Sequence, residues 1–180
     1  MNNAEQKRFF QQCLYDALMK LMQEKKFEKI SIGELCDRAG VSRMTYYRSY
    51  NSKEDILLQH LDECFAVYLA DLPVQDFYGV ALSFFRFWQG QERDFLIAVV
   101  RSGLSSQLMD RFYGYLDQII PQMVSDEAVQ PFVKSFLAGG LYKMLMDWMK
   151  NGTQSTPEEM AVFLAAGSKA LTELRKIPGS

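Results

Sequence analysis

The sequence predicts an all-α protein of about nine helices, in which an N-terminal helix-turn-helix domain precedes a larger helical domain. Three observations lead to this prediction. Apolar residues recur at three- and four-residue spacing along most of the 180-residue chain. The alternation of apolar and polar residues that half-buried strands show does not occur. Glycine, proline and asparagine interrupt the helical pattern at intervals that suit short loops.

The first 57 residues are expected to form one domain, residues 1–57. A long helix should cover residues 4–25, because its apolar residues form one stripe and it contains neither glycine nor proline. A helix of about two turns should follow and end at Gly40, which caps it in the left-handed conformation. A second short helix should cover residues 43–49, and a longer one residues 53–72.

The second domain is expected to span residues 58–180 and to contain five further helices. Glycine and proline residues separate these helices. The clearest helix start is Thr156-Pro157-Glu158-Glu159, with a capping Thr, Pro at the first helical position and acids facing the positive helix end. The predicted helices cover residues 75–88, 92–101, 105–122, 129–150 and 157–176.

Charge gives only modest information about partners. The net charge is −2, which is unusual for a protein that binds nucleic acid through a large field. Residues 1–57 contain ten Lys or Arg against eight Asp or Glu, whereas the remaining residues contain ten against fourteen. A slightly basic head on an acidic body is compatible with local phosphate contacts.

Several classes of protein are not expected. No apolar stretch reaches the roughly 18 residues of a membrane span, and no apolar signal segment follows the N-terminus, so we expect a cytoplasmic protein without membrane association. His60 is the only histidine, and no catalytic triad, glycine-rich phosphate loop or metal-spaced cluster accompanies it. The three cysteines form no CxxC pair. An enzyme, a metal and a cofactor are therefore not predicted.

Residues 31–50 contain the pattern on which the functional prediction depends. The segment Ser-Ile-Gly-Glu at 31–34 predicts a capping box, in which Ser31 accepts a backbone hydrogen bond and Glu34 reaches back to the Ser31 amide. Gly40 reverses the chain, and Ser42 caps the second helix. Two short helices joined in this way form a helix-turn-helix, whose second helix can enter the major groove of DNA.

The second helix carries more hydroxyl and guanidinium groups than apolar ones. Arg43 is suited to base edges, particularly guanine, and Thr45, Tyr47 and Arg48 are suited to phosphates. Lys53 opens the next helix, where its ammonium group and the backbone N–H groups can share one phosphate. From spacing alone, an ordinary helical hairpin with a solvated polar face remains an alternative.

Residues 30–57 resemble the DNA-binding domain of the TetR family, and the resemblance extends over residues 8–60. It rests on three elements at the family's spacing, which are Ala39-Gly40-Val41-Ser42, Thr45-Tyr46-Tyr47 and Ser52-Lys53-Glu54. The resemblance implies that Thr45, Tyr47 and Lys53 bind phosphates and that Arg43 and Met44 meet bases. The predicted DNA-binding set is Ser31, Ser42, Arg43, Met44, Thr45, Tyr47, Arg48 and Lys53.

Two positions depart from the family pattern. Ser49 stands where the family usually carries Tyr or His, so one phosphate contact is expected to be missing. Gly33 occupies a position from which some members read a base with a long side chain, which glycine cannot do. These departures leave a second hypothesis open, in which a TetR-fold protein has lost DNA binding and acts through a partner regulator. Retention of the polar residues on the second helix argues against it.

Residues 138–152, followed by residues 156–159, are similar to the dimerisation helices of one TetR-like subgroup. Gly139 and Gly140 each cost a helix about 1 kcal/mol relative to alanine, so a compensating close approach is expected. The helix is apolar around most of its circumference and so needs partners on two sides. The predicted dimer interface contains Phe136, Gly140, Leu141, Met144, Trp148 and Phe163. A buried central helix in a monomer is the alternative.

Aromatic residues are frequent between positions 75 and 123. In a TetR-like protein they would line an effector pocket, and the alternative is that they fill the core. The predicted pocket residues are Phe84, Trp88, Phe95, Phe112 and Tyr113. The resemblance as a whole implies a homodimeric repressor that binds double-stranded DNA at a near-palindromic operator and is released by an unknown small-molecule effector.

Overall fold

The computed structural model describes residues 2–72, 76–90 and 92–173. All regular structure in this part of the chain is helical, which confirms the predicted fold class. None of its helices combines the length and apolar character that a membrane span requires. The elements are α1 (Asn3–Glu24), a 3-10 helix (Phe27–Lys29), α2 (Ile32–Ala39), α3 (Arg43–Ser49), α4 (Lys53–Ala70), α5 (Phe77–Gln89), α6 (Arg93–Arg101), α7 (Ser105–Met123), α8 (Gln130–Lys150) and α9 (Pro157–Glu173).

The helix bounds follow the local signals in the sequence. The predicted first and last residues of the helices agree with the observed ones to within two residues, wherever the predicted residue is one that the structure describes. The start predicted at residue 75 and the end predicted at residue 176 lie outside the described residues. The 3-10 helix was not predicted, because three residues are too few to show a period.

Side-chain caps and one left-handed glycine define the short helices. The Ser31 Oγ accepts a hydrogen bond from the Glu34 amide at 3.2 Å, and the Ser42 Oγ accepts one from the Thr45 amide at 3.1 Å. Gly40 ends α2 with φ +65° and ψ 30°. This left-handed conformation is inexpensive only for glycine, so the turn between the two helices is set by that residue.

The start of α2 has the capping serine that was predicted and a further partner that was not. Ser31 caps the helix, and the Glu34 carboxylate accepts a hydrogen bond from the Lys25 ammonium at 2.5 Å, while the Ser31 backbone N–H makes a smaller contribution to the lowering of the Glu34 pKa. A cation on a neighbouring element is a stronger partner for a carboxylate than a neutral amide. The hydrogen bond from Lys25 also lowers the pKa of Glu34.

One compact unit comprises residues 2–66 and 94–108. In it, α1 packs against α2 and α3, and these two helices pack against each other. Leu14, Leu18 and Leu21 of α1 are at most 1% exposed. The His60 ring of α4 lies 4.0 Å from the Tyr15 ring and 4.6 Å from the Phe95 ring of α6, measured between centroids.

The other compact unit comprises the described residues of 67–93 and 109–173. Within it, α5 packs against α9, and an aromatic core joins α5 to α7 and α8. Phe84 lies edge-to-face with Phe112 at 5.4 Å, and Phe85 with Trp148 at 5.4 Å. Such contacts add to the stabilisation that burial of the rings provides.

The division into compact units differs from the predicted division after residue 57. The units divide within α4, after Ala66, because this helix is continuous from Lys53 to Ala70. Residues 94–108 belong with the N-terminal helices, where Phe95 contacts α1 and α4. The functional boundary at residues 57 and 58 stays a prediction.

Tyr46 of α3 has an unusual environment for a phenol. Its side chain is 0% exposed, and its hydroxyl has no hydrogen-bond partner among the described residues. Burial, with a smaller contribution from the Asp55 and Glu54 carboxylates, raises the pKa of Tyr46. A buried donor without a partner costs a folded protein about 1–3 kcal/mol.

Replacement of this hydroxyl by hydrogen should therefore stabilise the fold. We expect Tyr46→Phe to raise the free energy of unfolding by about 1 kcal/mol, measured by urea denaturation. Tyr47→Phe is the matched control, because the Tyr47 side chain is 59% exposed and the change should be close to zero. A clear loss of stability in Tyr46→Phe would show that the hydroxyl is satisfied in solution.

Candidate nucleic-acid interface

The buried side of α3 fixes the direction of the helix. Tyr46 is 0% exposed and Tyr50, which follows the helix, is 5% exposed. Val41 is buried in the turn before the helix. Burial, the nearby Glu63 charge and a smaller effect of Asp55 raise the pKa of Tyr50 to about 12, against the opposing effect of a hydrogen bond with Gln11. The phenol therefore stays neutral, as a core residue must.

The opposite side of α3 faces solvent. Met44 is 67% and Tyr47 59% exposed, and both arginines of the helix are exposed as well. The Arg48 Nη2 donates to the Met44 Sδ at 3.5 Å, which holds two predicted contact residues side by side at i, i+4 spacing. The Tyr47 ring lies edge-on against the buried Tyr46 ring at 5.1 Å, so a core residue supports an exposed one.

Thr45 is less available than the sequence suggests. Its side chain is half-buried, and its Oγ1 lies 2.9 Å from the Ser42 Oγ, at hydrogen-bonding distance. The Ser42 Oγ also accepts from the Thr45 amide, so the two side chains form a closed cap at the start of α3. The Thr45 hydroxyl keeps capacity for two further hydrogen bonds, because a hydroxyl offers one donor and two acceptor positions. It can donate to a phosphate when the Ser42 hydroxyl is the donor in the contact between the two side chains.

Lys53 lies in a different environment from the other predicted contact residues. Its Nζ donates to the Phe27 carbonyl at 2.6 Å and to the Ile30 carbonyl at 2.9 Å. The same atom lies 4.4 Å from the centroid of the Phe27 ring, a cation–π contact. An ammonium group has three donors, so at most one remains for a phosphate. Lys53 thus connects the start of α4 to the 3-10 helix.

The backbone N–H groups at the start of α4 also have a partner. The Asn51 and Ser52 amides both donate to the Asp55 Oδ2, at 2.9 and 3.0 Å. A carboxylate therefore binds the two amides that immediately precede α4. The sharing of a phosphate between Lys53 and the N–H groups that α4 itself leaves free stays a prediction. Sequence reasoning missed this role of Asp55, although an acid in the first turn of a helix is a recognised signal for such capping.

The structure brings most of the predicted contact residues together on one exposed surface. Ser31 lies at the start of α2, and Arg43 lies against that helix, at the edge of a shallow recess of about 410 Å³ that both residues line. Ser42, Met44, Thr45, Tyr47 and Arg48 belong to α3 and its cap. Only Lys53 is held mainly by contacts within the protein. A short, solvent-facing helix that follows a glycine turn defines a helix-turn-helix protein.

Comparisons with known proteins identify the family. Residues 14–59 match the family described as bacterial regulatory proteins, tetR family, and residues 75–166 match the transcriptional regulator C-terminal region. The chain therefore belongs to the TetR family of transcriptional regulators. No curated protein matches the sequence.

A solved structure supports the same fold. The dihydroxyacetone kinase operon activator DhaS aligns with a TM-score of 0.65 over 92% of this chain and 97% of its own chain. The two sequences are 16% identical over this alignment. At this level of identity the likeness concerns the architecture alone.

The residues predicted for the dimer interface divide into two groups. Leu141 and Trp148 are 6% and 4% exposed, and the Trp148 Nε1 donates to the Ser155 carbonyl at 2.8 Å, so both are core residues of their own unit. Phe136 and Phe163 are 46% and 66% exposed, and Gly140 and Met144 are half-buried. Phe132 of α8 and Val162 of α9, which the sequence analysis did not single out, are 77% and 55% exposed.

The residues predicted for the effector pocket do not form one cluster. Phe84, Trp88 and Phe112 are at most 4% exposed and contact one another's rings in a chain. Tyr113 is 39% exposed, and the Lys134 ammonium lies 3.8 Å from its ring centroid. Phe95 belongs to the other compact unit. A recess of about 540 Å³ in the compact unit of residues 67–93 and 109–173, called the C-terminal unit below, is lined by different residues, among them Tyr68, Ser83 and Arg86.

The two hydrogen bonds of Lys53 lead to a prediction about stability. We expect Lys53→Met to lower the free energy of unfolding by about 2 kcal/mol, because hydrogen bonds from a charged donor are lost and two carbonyls lose a partner. Lys29→Met is the control, since Lys29 is exposed on the 3-10 helix. Chemical denaturation measures both. Equal, small effects for the two variants would contradict a structural role for Lys53.

Proposed function

We propose that this TetR-family regulator binds a near-palindromic DNA operator as a homodimer and represses transcription until a small-molecule effector releases it. The main support is the exposed face of α3. Met44 and Tyr47 project into solvent from a helix of seven residues whose opposite side is buried. Exposed apolar and aromatic side chains beside two arginines suit a surface that a polyanion covers.

Each residue of this face has a proposed role. Arg43 and Met44 meet base edges in the major groove. Tyr47 and Arg48 bind phosphates, and Thr45 does so through the remaining capacity of its hydroxyl. Ser31 and Ser42 lie at the helix starts, where backbone N–H groups point toward an anion. Lys53 adds its third donor to a phosphate while it holds the 3-10 helix.

Binding to DNA can be tested with duplexes from the region upstream of the gene. We expect the affinity to fall steeply as salt rises from about 50 to 200 mM, because phosphate contacts release counterions. Arg48→Ala should weaken binding to all duplexes and reduce the slope of log affinity against log salt by about one. Fluorescence anisotropy measures both quantities. Lys150→Ala is the control, since Lys150 is exposed at the end of α8, outside the proposed surface.

The same experiment decides between the two functional hypotheses. Absence of binding to every duplex at low salt would favour a protein that acts through a partner regulator. A reporter gene placed behind the bound duplex then shows the direction of regulation. Repression is our proposal, whereas the structurally similar DhaS is named an operon activator, so a rise in reporter signal is the outcome that would contradict it.

The homodimer is proposed from the exposed apolar residues of α8 and α9. Phe132, Phe136, Gly140 and Met144 follow one another at i+4 spacing and so form one stripe along α8. Apart from the backbone of α8 itself, no atom of the described residues lies within 4 Å of the position that a Cβ on Gly140 would occupy. A second copy would supply the close approach that offsets the cost of this glycine.

Substitution of one exposed phenylalanine on each of α8 and α9 should separate the two copies. We expect Phe136→Glu combined with Phe163→Glu to weaken self-association by about 100-fold or more, because a charge would be buried at the centre of the interface. Analytical ultracentrifugation measures the dissociation constant. Val67→Glu is the control, because Val67 is 60% exposed on α4. Retention of the dimer in the double variant would place the interface elsewhere.

The response to an effector is proposed from the continuity of α4. This helix begins with residues of the helix-turn-helix unit and ends with residues of the C-terminal unit. An effector that binds among the aromatic residues of α5 and α7 and prefers one position of α4 would change the separation of the two recognition helices. The two recognition helices would then no longer fit half-sites about 34–36 Å apart on DNA, and the affinity for the operator would fall.

A further inference from the structure

We propose that Gly33 is a positioning residue that determines base preference, because its missing side chain provides the space in which the Arg43 guanidinium lies. The inference rests on the proposed function, since it deepens the role of Arg43 in reading DNA. The sequence suggested that Gly33 contributes nothing to recognition. The structure instead assigns it a role through the side chain that it admits.

The geometry that supports this inference joins α2 and α3. Gly33 lies in the first turn of α2, and Arg43 is the first residue of α3. A Cβ on Gly33 would lie 2.5 Å from the Arg43 Nη2, 3.3 Å from its Cζ and 3.6 Å from its Nε. Since non-bonded heavy atoms separate by about 3.5–4.0 Å, alanine and the present guanidinium position exclude each other.

The charges around the guanidinium explain why it can stay there. Its position near the first turn of α2 faces the positive end of the helix dipole, which disfavours a cation. Glu34 and Asp37 line the same recess and provide negative charge. Glu34 is also hydrogen-bonded to Lys25. The Arg43 guanidinium therefore stays beside Gly33 for two reasons: the missing side chain leaves room for it, and the nearby carboxylates attract it.

The position of the guanidinium matters because of how arginine reads a base. A guanidinium recognises guanine through two parallel hydrogen bonds to O6 and N7, and its rigid planar fork tolerates little displacement. The end of a flexible side chain moves easily, so a Cβ at Gly33 would shift Arg43 and leave the backbone in place. Alanine is also the better helix former. Gly33→Ala should thus change recognition while the fold keeps its stability.

A double-mutant cycle tests the inference with the duplex that the unmodified protein binds. The proteins are the unmodified chain, Gly33→Ala, Arg43→Ala and the double variant, and each base pair of one half-site is substituted in turn. We expect Gly33→Ala to weaken binding to the preferred duplex about ten-fold and to flatten the preference at the base pair that Arg43→Ala also flattens. In the Arg43→Ala background, Gly33→Ala should change affinity less than about two-fold.

Two controls separate recognition from folding. Thermal unfolding of Gly33→Ala should occur at the same or a higher temperature than that of the unmodified protein. Gly114→Ala in α7 should leave the affinity and the base preference unchanged, because a Cβ there meets no described atom outside its own helix backbone within 4 Å. A fall in the unfolding temperature of Gly33→Ala would overturn the inference, because a structural defect would then explain weaker binding.

The remaining outcomes distinguish this inference from the proposed function. Unmodified protein that binds DNA, together with Gly33→Ala that binds with equal affinity and preference, overturns the inference alone. An effect of Gly33→Ala that persists in the Arg43→Ala background does the same. Failure of the unmodified protein to bind any duplex at low salt overturns the proposed function and, with it, the inference.

Discussion

Burial of the Tyr46 ring controls the direction in which α3 presents its other side chains. A helix of seven residues is too short to be stable by itself, so its orientation comes from the residues that it buries. With Tyr46 fully enclosed, the period of 3.6 residues places Met44 and Tyr47 toward solvent. The Tyr47 ring rests on Tyr46, and Arg48 lies along Met44. The packing of Tyr46 in the core therefore determines which side chains α3 exposes. The buried Tyr46 hydroxyl, which has no partner among the described residues, lowers the stability of the fold.

The polar residues around this core are mostly engaged within the protein. Lys53 binds two carbonyls, Asp55 binds two amides and Lys25 binds Glu34. These contacts connect α1, the 3-10 helix, α2 and the start of α4. Polar side chains here either connect helices or face solvent. Lys53 was expected to bind a phosphate, and two of its three donors instead bind carbonyls of the protein.

Local signals predicted the helices well, because caps and turn glycines act within a few residues. Ser42 and Gly40 illustrate this. Partners distant in the chain were not predictable. Glu34 accepts a hydrogen bond from a lysine nine residues earlier, and Lys53 donates to carbonyls 23 and 26 residues earlier. Periodicity also could not orient α8, because the helix is apolar on most sides. It gave no means of predicting that Trp148 is buried in its own unit. Spacing likewise gave no means of placing Phe95 apart from the other aromatic residues.

The hydrogen bond from Trp148 to the Ser155 carbonyl has a consequence for association. It closes the loop between α8 and α9, in which Gly152 and Thr153 adopt positive φ values of 72° and 55°. A cap formed by Thr156 and Glu159 then begins α9. The connection between the two helices is thus ordered by contacts of its own chain. A partner that covers Phe136 on α8 and Phe163 on α9 would find the loop between these helices already ordered. Little loop entropy is then lost on association.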